Sequence, residues 1–161
     1  MRVSTKARYA VSAMVDMAVI TENDPARAVS LNDIAVRQEL PTAYLEQIFA
    51  KLRQAQLVQS IRGAHGGYKL GRPVDTIRIA DIIYAVDNPS KATRCDQHSP
   101  SGCMSTGKRC LTHNLWEGLD HVIHHYLSQL SLEDIAFQKK SIPNEQLSTD
   151  SLTQKVRAYV L

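Results

Sequence analysis

The order of segments between Ser30 and Gly71 constrains this chain more than any other feature. Ser30, with Asp33 three residues on, resembles a capping box and opens a short helix through about Gln38, with Leu31, Ile34 and Ala35 on its buried side. Leu40-Pro41-Thr42 breaks that helix and starts another, from Thr42 to Gln54. Its Leu45, Ile48, Phe49 and Leu52 make one apolar face, and Ala43, Glu46, Gln47, Ala50, Arg53 and Gln54 lie opposite. Two short helices joined by a tight turn, the second polar on its outward side, are the outline of a helix-turn-helix, although any helical hairpin shares that outline. The next segment narrows it. Leu57 to Arg62 reads as a strand, Gly63-Ala64-His65-Gly66-Gly67 as a turn, and Tyr68-Lys69-Leu70 as the returning strand before Gly71. Helix, helix, hairpin is the winged-helix order, and it places Arg62, His65 and Lys69 on or beside the wing, within reach of phosphates or a minor groove.

The flanking segments complete an architecture that is mainly α with a small β-hairpin wing: a winged helix-turn-helix followed by a long dimerisation helix. Ser4 or Thr5 caps a helix from Lys6 to about Thr21, whose Ala10, Ala13, Met14, Met17 and Ala18 recur on one face. Thr76 to Asp87 holds a brief extended piece and a short helix with Ile79, Ile82, Ile83 and Val86 apolar. Residues 88–112 are rich in Ser, Gly, Pro and Lys, and a loop of that length in a compact domain is usually functional or disordered. From His113 to Leu130 a helix is expected, with Leu115, Leu119, Val122, Tyr126, Leu127 and Leu130 along one side. That side is more apolar than the remaining core can cover, so pairing with the same helix of a second copy is its natural use. Ser131 with Asp134 caps one more short helix to about Lys140. The expected division is therefore a DNA-binding domain over 1–87, a ligand-holding loop over 88–112, a dimerisation helix with its short successor over 113–140, and a tail over 141–161 with no role read from it.

Charge separates the two halves. Residues 1–80 carry 11 Lys and Arg against 7 Asp and Glu, a balance of +4, whereas residues 81–161 carry 8 against 9, a balance of −1. The basic half is where a polyanion is expected to bind. Double-stranded DNA fits better than single strands, because aromatic residues are only 6% of the chain and form no stacking platform. On the second helix of the pair, Gln47 suits an adenine edge and Glu46 the amino group of cytosine; a plain solvent-facing charge is the alternative for Glu46. Gly63–Gly67 lies between two strands rather than ahead of a helix, so it does not read as a nucleotide cradle. No spacing of Ser, His, Asp or Cys supports a catalytic arrangement, and no enzyme is expected. The apolar run Ala10–Ile20 is broken by Ser12 and Asp16 and is shorter than the ~20 residues a bilayer requires. Met1 is followed by Arg2, Lys6 and Arg8 without an apolar leader, so a cytoplasmic location and no membrane partner are expected.

Cys95, Cys103 and Cys110 fall within 16 consecutive residues, and an odd count does not favour a disulfide framework. Three thiolates and one imidazole make the four ligands that zinc or an iron-sulfur cluster requires. His98 competes with His113 for the fourth place. His113 is favoured because Cys110-Leu-Thr-His113 at a helix start can direct both side chains to one point. The gaps between cysteines are seven and six residues, wider than the tight pairs of zinc ribbons, which favours a cluster over zinc, with unmetalled thiols as the third reading. His121, His124 and His125 lie one turn apart on the long helix and are better explained by a helix-helix interface than by a second metal.

Several stretches together resemble one family. They are Met1-Arg-Val-Ser-Thr-Lys-Ala-Arg-Tyr-Ala10, Tyr44-Leu-Glu-Gln47, Ile61-Arg-Gly63, Gly66-Gly-Tyr-Lys-Leu-Gly71, Ala85-Val-Asp87, Thr93-Arg-Cys95 and Cys110-Leu-Thr-His-Asn-Leu-Trp116. Over about residues 1–140 the chain resembles the IscR family of iron-sulfur cluster-binding winged-helix regulators. The resemblance implies a homodimer that holds a 2Fe-2S cluster, represses the genes of cluster assembly, and changes its target sites when the cluster is lost. It also implies that cluster-assembly scaffold proteins donate the cluster. By position, Cys95, Cys103, Cys110 and His113 would be the ligands. Thr42, Tyr44, Glu46 and Gln47 and, in the wing, Arg62 would contact DNA, with Arg2 and Lys6 near phosphates, and Glu46 would keep the cluster-free form off one class of promoter. The cysteine gaps here exceed the family's spacing by two residues and by one. Relatives that sense nitric oxide through a 4Fe-4S cluster use a carboxylate near the N-terminus where this chain has Lys6 and Arg8, so that variant ranks second. A redox protein that carries a cluster without binding DNA, and a zinc-stabilised regulator, are the remaining alternatives.

Overall fold

The computed structural model describes residues 3–63, 66–87 and 108–139. Along the chain run α1 (Thr5–Ile20), α2 (Leu31–Gln38), α3 (Thr42–Gln54), β1 (Val58–Ile61), β2 (Gly67–Leu70), α4 (Ile79–Val86), α5 (His113–Ser128) and α6 (Leu132–Ala136). They divide between two units, Met1–Asn88 with Leu127–Lys139, and Pro89–Tyr126 with Lys140–Leu161.

In the first unit α1 is the central helix, packed against α2, α3, α4 and α6. The Ser4 hydroxyl accepts from the Ala7 N–H at 3.1 Å, and the spacing of Ala7, Ala10, Ala13, Met14, Met17 and Ala18 buries all six on one side. Four of those six are alanines, so partner helices find little bulk between them and the α1 backbone. α2 buries Ile34 and Ala35, and Arg37 at its end pairs with Asp16 of α1 through Nε, 3.2 and 3.0 Å from the two carboxylate oxygens. Ser30 accepts from the Asn32 N–H, one residue short of the capping box that its sequence suggests. Glu39 ends α2 in the left-handed region at φ 53°, turning the chain into Pro41 and α3. α3 buries Leu45, Ile48, Phe49 and Leu52, the four residues of its expected apolar face.

β1 and β2 pair antiparallel in the register Val58 with Leu70 through Ile61 with Gly67. β1 is one residue shorter at each end than the expected Leu57–Arg62, and β2 starts one residue before the expected Tyr68 and ends at Leu70 as expected. The hairpin is not a free flap. Tyr68 and Val29 exchange both backbone hydrogen bonds at 2.8 Å, and the Tyr68 ring meets Phe49 of α3 edge-on at 4.9 Å. The wing is thereby held to Val29, the residue before the N-cap of α2, and to the core face of α3. Ahead of α4, a turn at Val74–Thr76 leads into a short bridged piece at Ile77–Arg78, and this stretch bonds to a distant segment. Ile79 N–H donates to Leu130 (2.9 Å), Leu132 N–H to Ile77 (2.8 Å), and Glu133 N–H to Val74 (3.2 Å). α6 follows at once, opened by reciprocal Ser131–Asp134 bonds of 2.9 and 3.0 Å, and it ends at Ala136 rather than near Lys140.

In the second unit the described residues run from Lys108 to Tyr126. α5 begins at His113 as expected and ends two residues before Leu130. His113 is its buried residue, while Leu115, Trp116, Leu119 and Tyr126 are 62%, 39%, 37% and 41% exposed. Among the described residues no helix is long and apolar enough to cross a membrane.

Candidate functional site

The amphipathic spacing of α3 that buries four apolar residues turns Glu46 and Gln47 outward, and both are exposed. Thr42, its first residue, is half-buried with Oγ1 3.5 Å from Asn32 Oδ1 of α2, a contact across the helix-turn-helix turn. Tyr44 is half-buried, and its ring stands perpendicular to that of Tyr9 of α1 at 5.9 Å. Arg62 is exposed directly after β1, at the wing. Lys6 lies on α1 with the Lys51 ammonium beside it. Burial, and then the Lys51 charge, hold Lys6 below the usual lysine range against an opposing pull from Asp87. Arg2, His65, His98, Cys95 and Cys103 lie outside the described residues, as do most of the segment 88–112 and the tail 141–161.

Cys110 and His113 are both described. The His113 N–H donates to the Cys110 carbonyl at 3.1 Å, which wraps the two donors onto one turn at the start of α5. His113 is 3% exposed, with Nε2 3.7 Å from Glu117 Oε2 one turn further along, and Cys110 is half-buried. A thiol and an imidazole on one turn are donor types common to iron-sulfur clusters and zinc, and a carboxylate beside the imidazole is the usual support of a ligating histidine. The donor chemistry therefore fits an iron-sulfur group. His121, His124 and His125 all lie on α5.

Three positions go beyond the residues that spacing singled out. Lys51 Nζ donates to the Val86 carbonyl at 3.0 Å, at the last turn of α4, so a side chain of α3 holds the point from which the cysteine-bearing segment departs. Tyr68 joins the wing to Val29 and Phe49. Thr112 Oγ1 accepts from Trp116 Nε1 at 3.2 Å and lies 3.7 Å from Cys110 Sγ. Only the last had a signal in sequence, a hydroxyl residue between two metal-type donors and four residues ahead of the single tryptophan.

A two-helix reader whose second helix turns polar side chains outward, with a hairpin wing bonded to the same unit, defines a winged-helix DNA-binding regulator of transcription. The profile of the Rrf2 family, described as iron-dependent transcriptional regulators, matches residues 3–138. The HTH-type transcriptional regulator IscR of Photorhabdus laumondii is 46% identical over 84% of this chain and 79% of its own. Among solved structures, IscR of T. potens superposes with a TM-score of 0.66 at 35% identity, covering 91% of this chain and 93% of that one. CymR, described as the global cysteine regulator of B. subtilis, superposes with a TM-score of 0.66 at 33% identity over 87% and 99%. The chain belongs to the Rrf2 family. Its family, its relatives and its fold are those of transcriptional regulators, not of enzymes.

Proposed function

We propose that this chain is a cytoplasmic, homodimeric repressor of iron-sulfur cluster assembly genes that senses cluster supply through a 2Fe-2S cluster of its own. The observation that carries the reading is the Cys110–His113 turn, where a thiol and a buried imidazole open the helix that leads back to the DNA-binding unit. Relatives that share the name IscR, and the iron dependence in the family's description, support it. Cys95, Cys103, Cys110 and His113 are the four ligands in this reading, filled by cluster-assembly scaffold proteins. A bound cluster supplies one-electron redox chemistry at a site that acid, oxidant or iron shortage can empty.

The chain's own residues do the rest. Cys95 and Cys103, in the segment that follows α4 in sequence, would complete the set that Cys110 and His113 begin. α5 ends beside Leu130, whose carbonyl accepts from Ile79 at the start of α4, so both ends of the ligand-bearing stretch are anchored in the winged unit. Lys51 adds a direct hold from α3 on the α4 exit. The exposed Leu115, Trp116, Leu119 and Tyr126 give α5 an apolar face suited to the same helix of a second copy, which sets the separation of two recognition helices against half-sites one helical turn apart. Arg62, Lys6 and Arg2 serve phosphates, and Thr42, Tyr44, Glu46 and Gln47 serve the reading of the groove, Glu46 as the residue that rejects part of the possible sites. Anaerobic purification tests the reading. A 2Fe-2S visible spectrum with salt-dependent, sequence-selective binding to duplex DNA is expected. A colourless protein holding one zinc, a 4Fe-4S spectrum, or DNA binding without selectivity would overturn it.

A further inference from the structure

Thr112 sits between two of the donors named above and is not itself a metal ligand in that reading. Its Oγ1 lies 3.2 Å from Trp116 Nε1 and 3.7 Å from Cys110 Sγ. An indole N–H only donates, so the Trp116 contact uses the Thr112 oxygen as acceptor and leaves the hydroxyl proton to point elsewhere. A cysteine that ligates iron does so as a thiolate, which has no proton, so between Thr112 and a ligating Cys110 the hydrogen bond has one possible direction: oxygen donates to sulfur. Hydrogen bonds to ligand sulfur draw charge from the thiolate and raise the potential at which the metal centre accepts an electron.

We infer that Thr112, aligned by Trp116, is a positioning residue that donates its hydroxyl proton to the Cys110 sulfur and sets the reduction potential of the cluster. The inference rests on the cluster reading above and concerns how that site is tuned. Because Trp116 is the single tryptophan, its emission reports on the same hydroxyl without any cluster. Thr112→Val removes the hydroxyl at similar volume, and Thr112→Ser keeps it.

The test is anaerobic reconstitution of the full-length wild type and both variants with iron and sulfide, followed by redox titration read by visible absorption. The midpoint of Thr112→Val is expected to fall below that of the wild type, with Thr112→Ser close to it. Emission of the cluster-free protein is expected to shift in Thr112→Val and not in Thr112→Ser. Equal midpoints in a coloured wild type and a coloured Thr112→Val overturn the role of Thr112 and leave the cluster reading intact. A wild type that stays colourless overturns the cluster reading and this inference with it. Should Thr112→Val fail to take up iron, Trp116→Phe supplies the second arm: a lowered midpoint supports the alignment of Thr112 by the indole, and an unchanged one refutes it.

Discussion

Tyr68 and Val29 exchange two backbone hydrogen bonds of 2.8 Å, so the returning strand of the wing is fastened to the residue just ahead of the helix-turn-helix. With the Tyr68 ring also against Phe49 of α3, the wing is attached to the same packed unit as the reading helix, a geometry suited to contacting a groove and its flanking phosphates together.

That fastening makes Gly67 intolerant of a side chain. A Cβ there would stand 2.4 Å from the Val29 oxygen and 2.7 Å from its carbonyl carbon, both backbone atoms already committed to the bridge. Gly67→Ala is expected to cost about 1–3 kcal/mol, as overpacking does, and to weaken DNA binding. Thermal unfolding and a binding titration check both.

At Glu39 the strain runs the other way. An L side chain is held at φ 53° at the end of α2, a conformation that glycine adopts freely. Glu39→Gly is expected to raise stability by about 0.5–1 kcal/mol, seen as a higher urea midpoint with unchanged slope.

Lys51→Met removes both the donor to the Val86 carbonyl and the cation beside Lys6. A cost of about 1 kcal/mol is expected, the worth of a charged cap on a helix C-terminus. The pH dependence follows from the lowered Lys6 value. Between that value and 10.5 the folded chain binds fewer protons at Lys6 than the unfolded chain, so this group makes stability rise with pH across that window. Below the window its unfavourable contribution is constant. Urea titrations at rising alkaline pH should show a shallower rise in Lys51→Met than in the wild type, because burial alone then depresses Lys6.

Two substitutions separate phosphate contact from base reading. Arg62→Ala is expected to weaken binding to all duplexes alike and to reduce the slope of log affinity against log salt by about 1. Glu46→Ala is expected to leave that slope nearly unchanged while broadening the set of sites bound. Measurements across a panel of duplexes at several salt concentrations distinguish the two effects.

For the ligand set, Cys103→Ala and His113→Ala are each expected to abolish the iron-sulfur absorption while a dimer still forms. A wild-type spectrum in either variant would remove that residue from the site. Sedimentation of the same samples reports the dimer.

The local and periodic part of this architecture was legible from sequence. The burial of Leu45, Ile48, Phe49 and Leu52, the stripe on α1, the Ser131–Asp134 cap and the start of α5 at His113 follow from spacing and capping, which act within a turn or two of chain. The same spacing turned Glu46 and Gln47 outward.

The contacts that join distant segments left no such trace. The Val29–Tyr68 bridge, the bonds of Val74, Ile77 and Ile79 to Glu133, Leu132 and Leu130, and the Lys51 bond to Val86 span 39, 51 to 59 and 35 residues and use backbone or side-chain groups that carry no periodic signature. A backbone amide is the same in every residue, so nothing in its letter states which carbonyl it will meet. That is why spacing along the chain could announce two short helices and a hairpin, while their long-range contacts fastened the hairpin to Val29 and Phe49 and bound α3 to the end of α4.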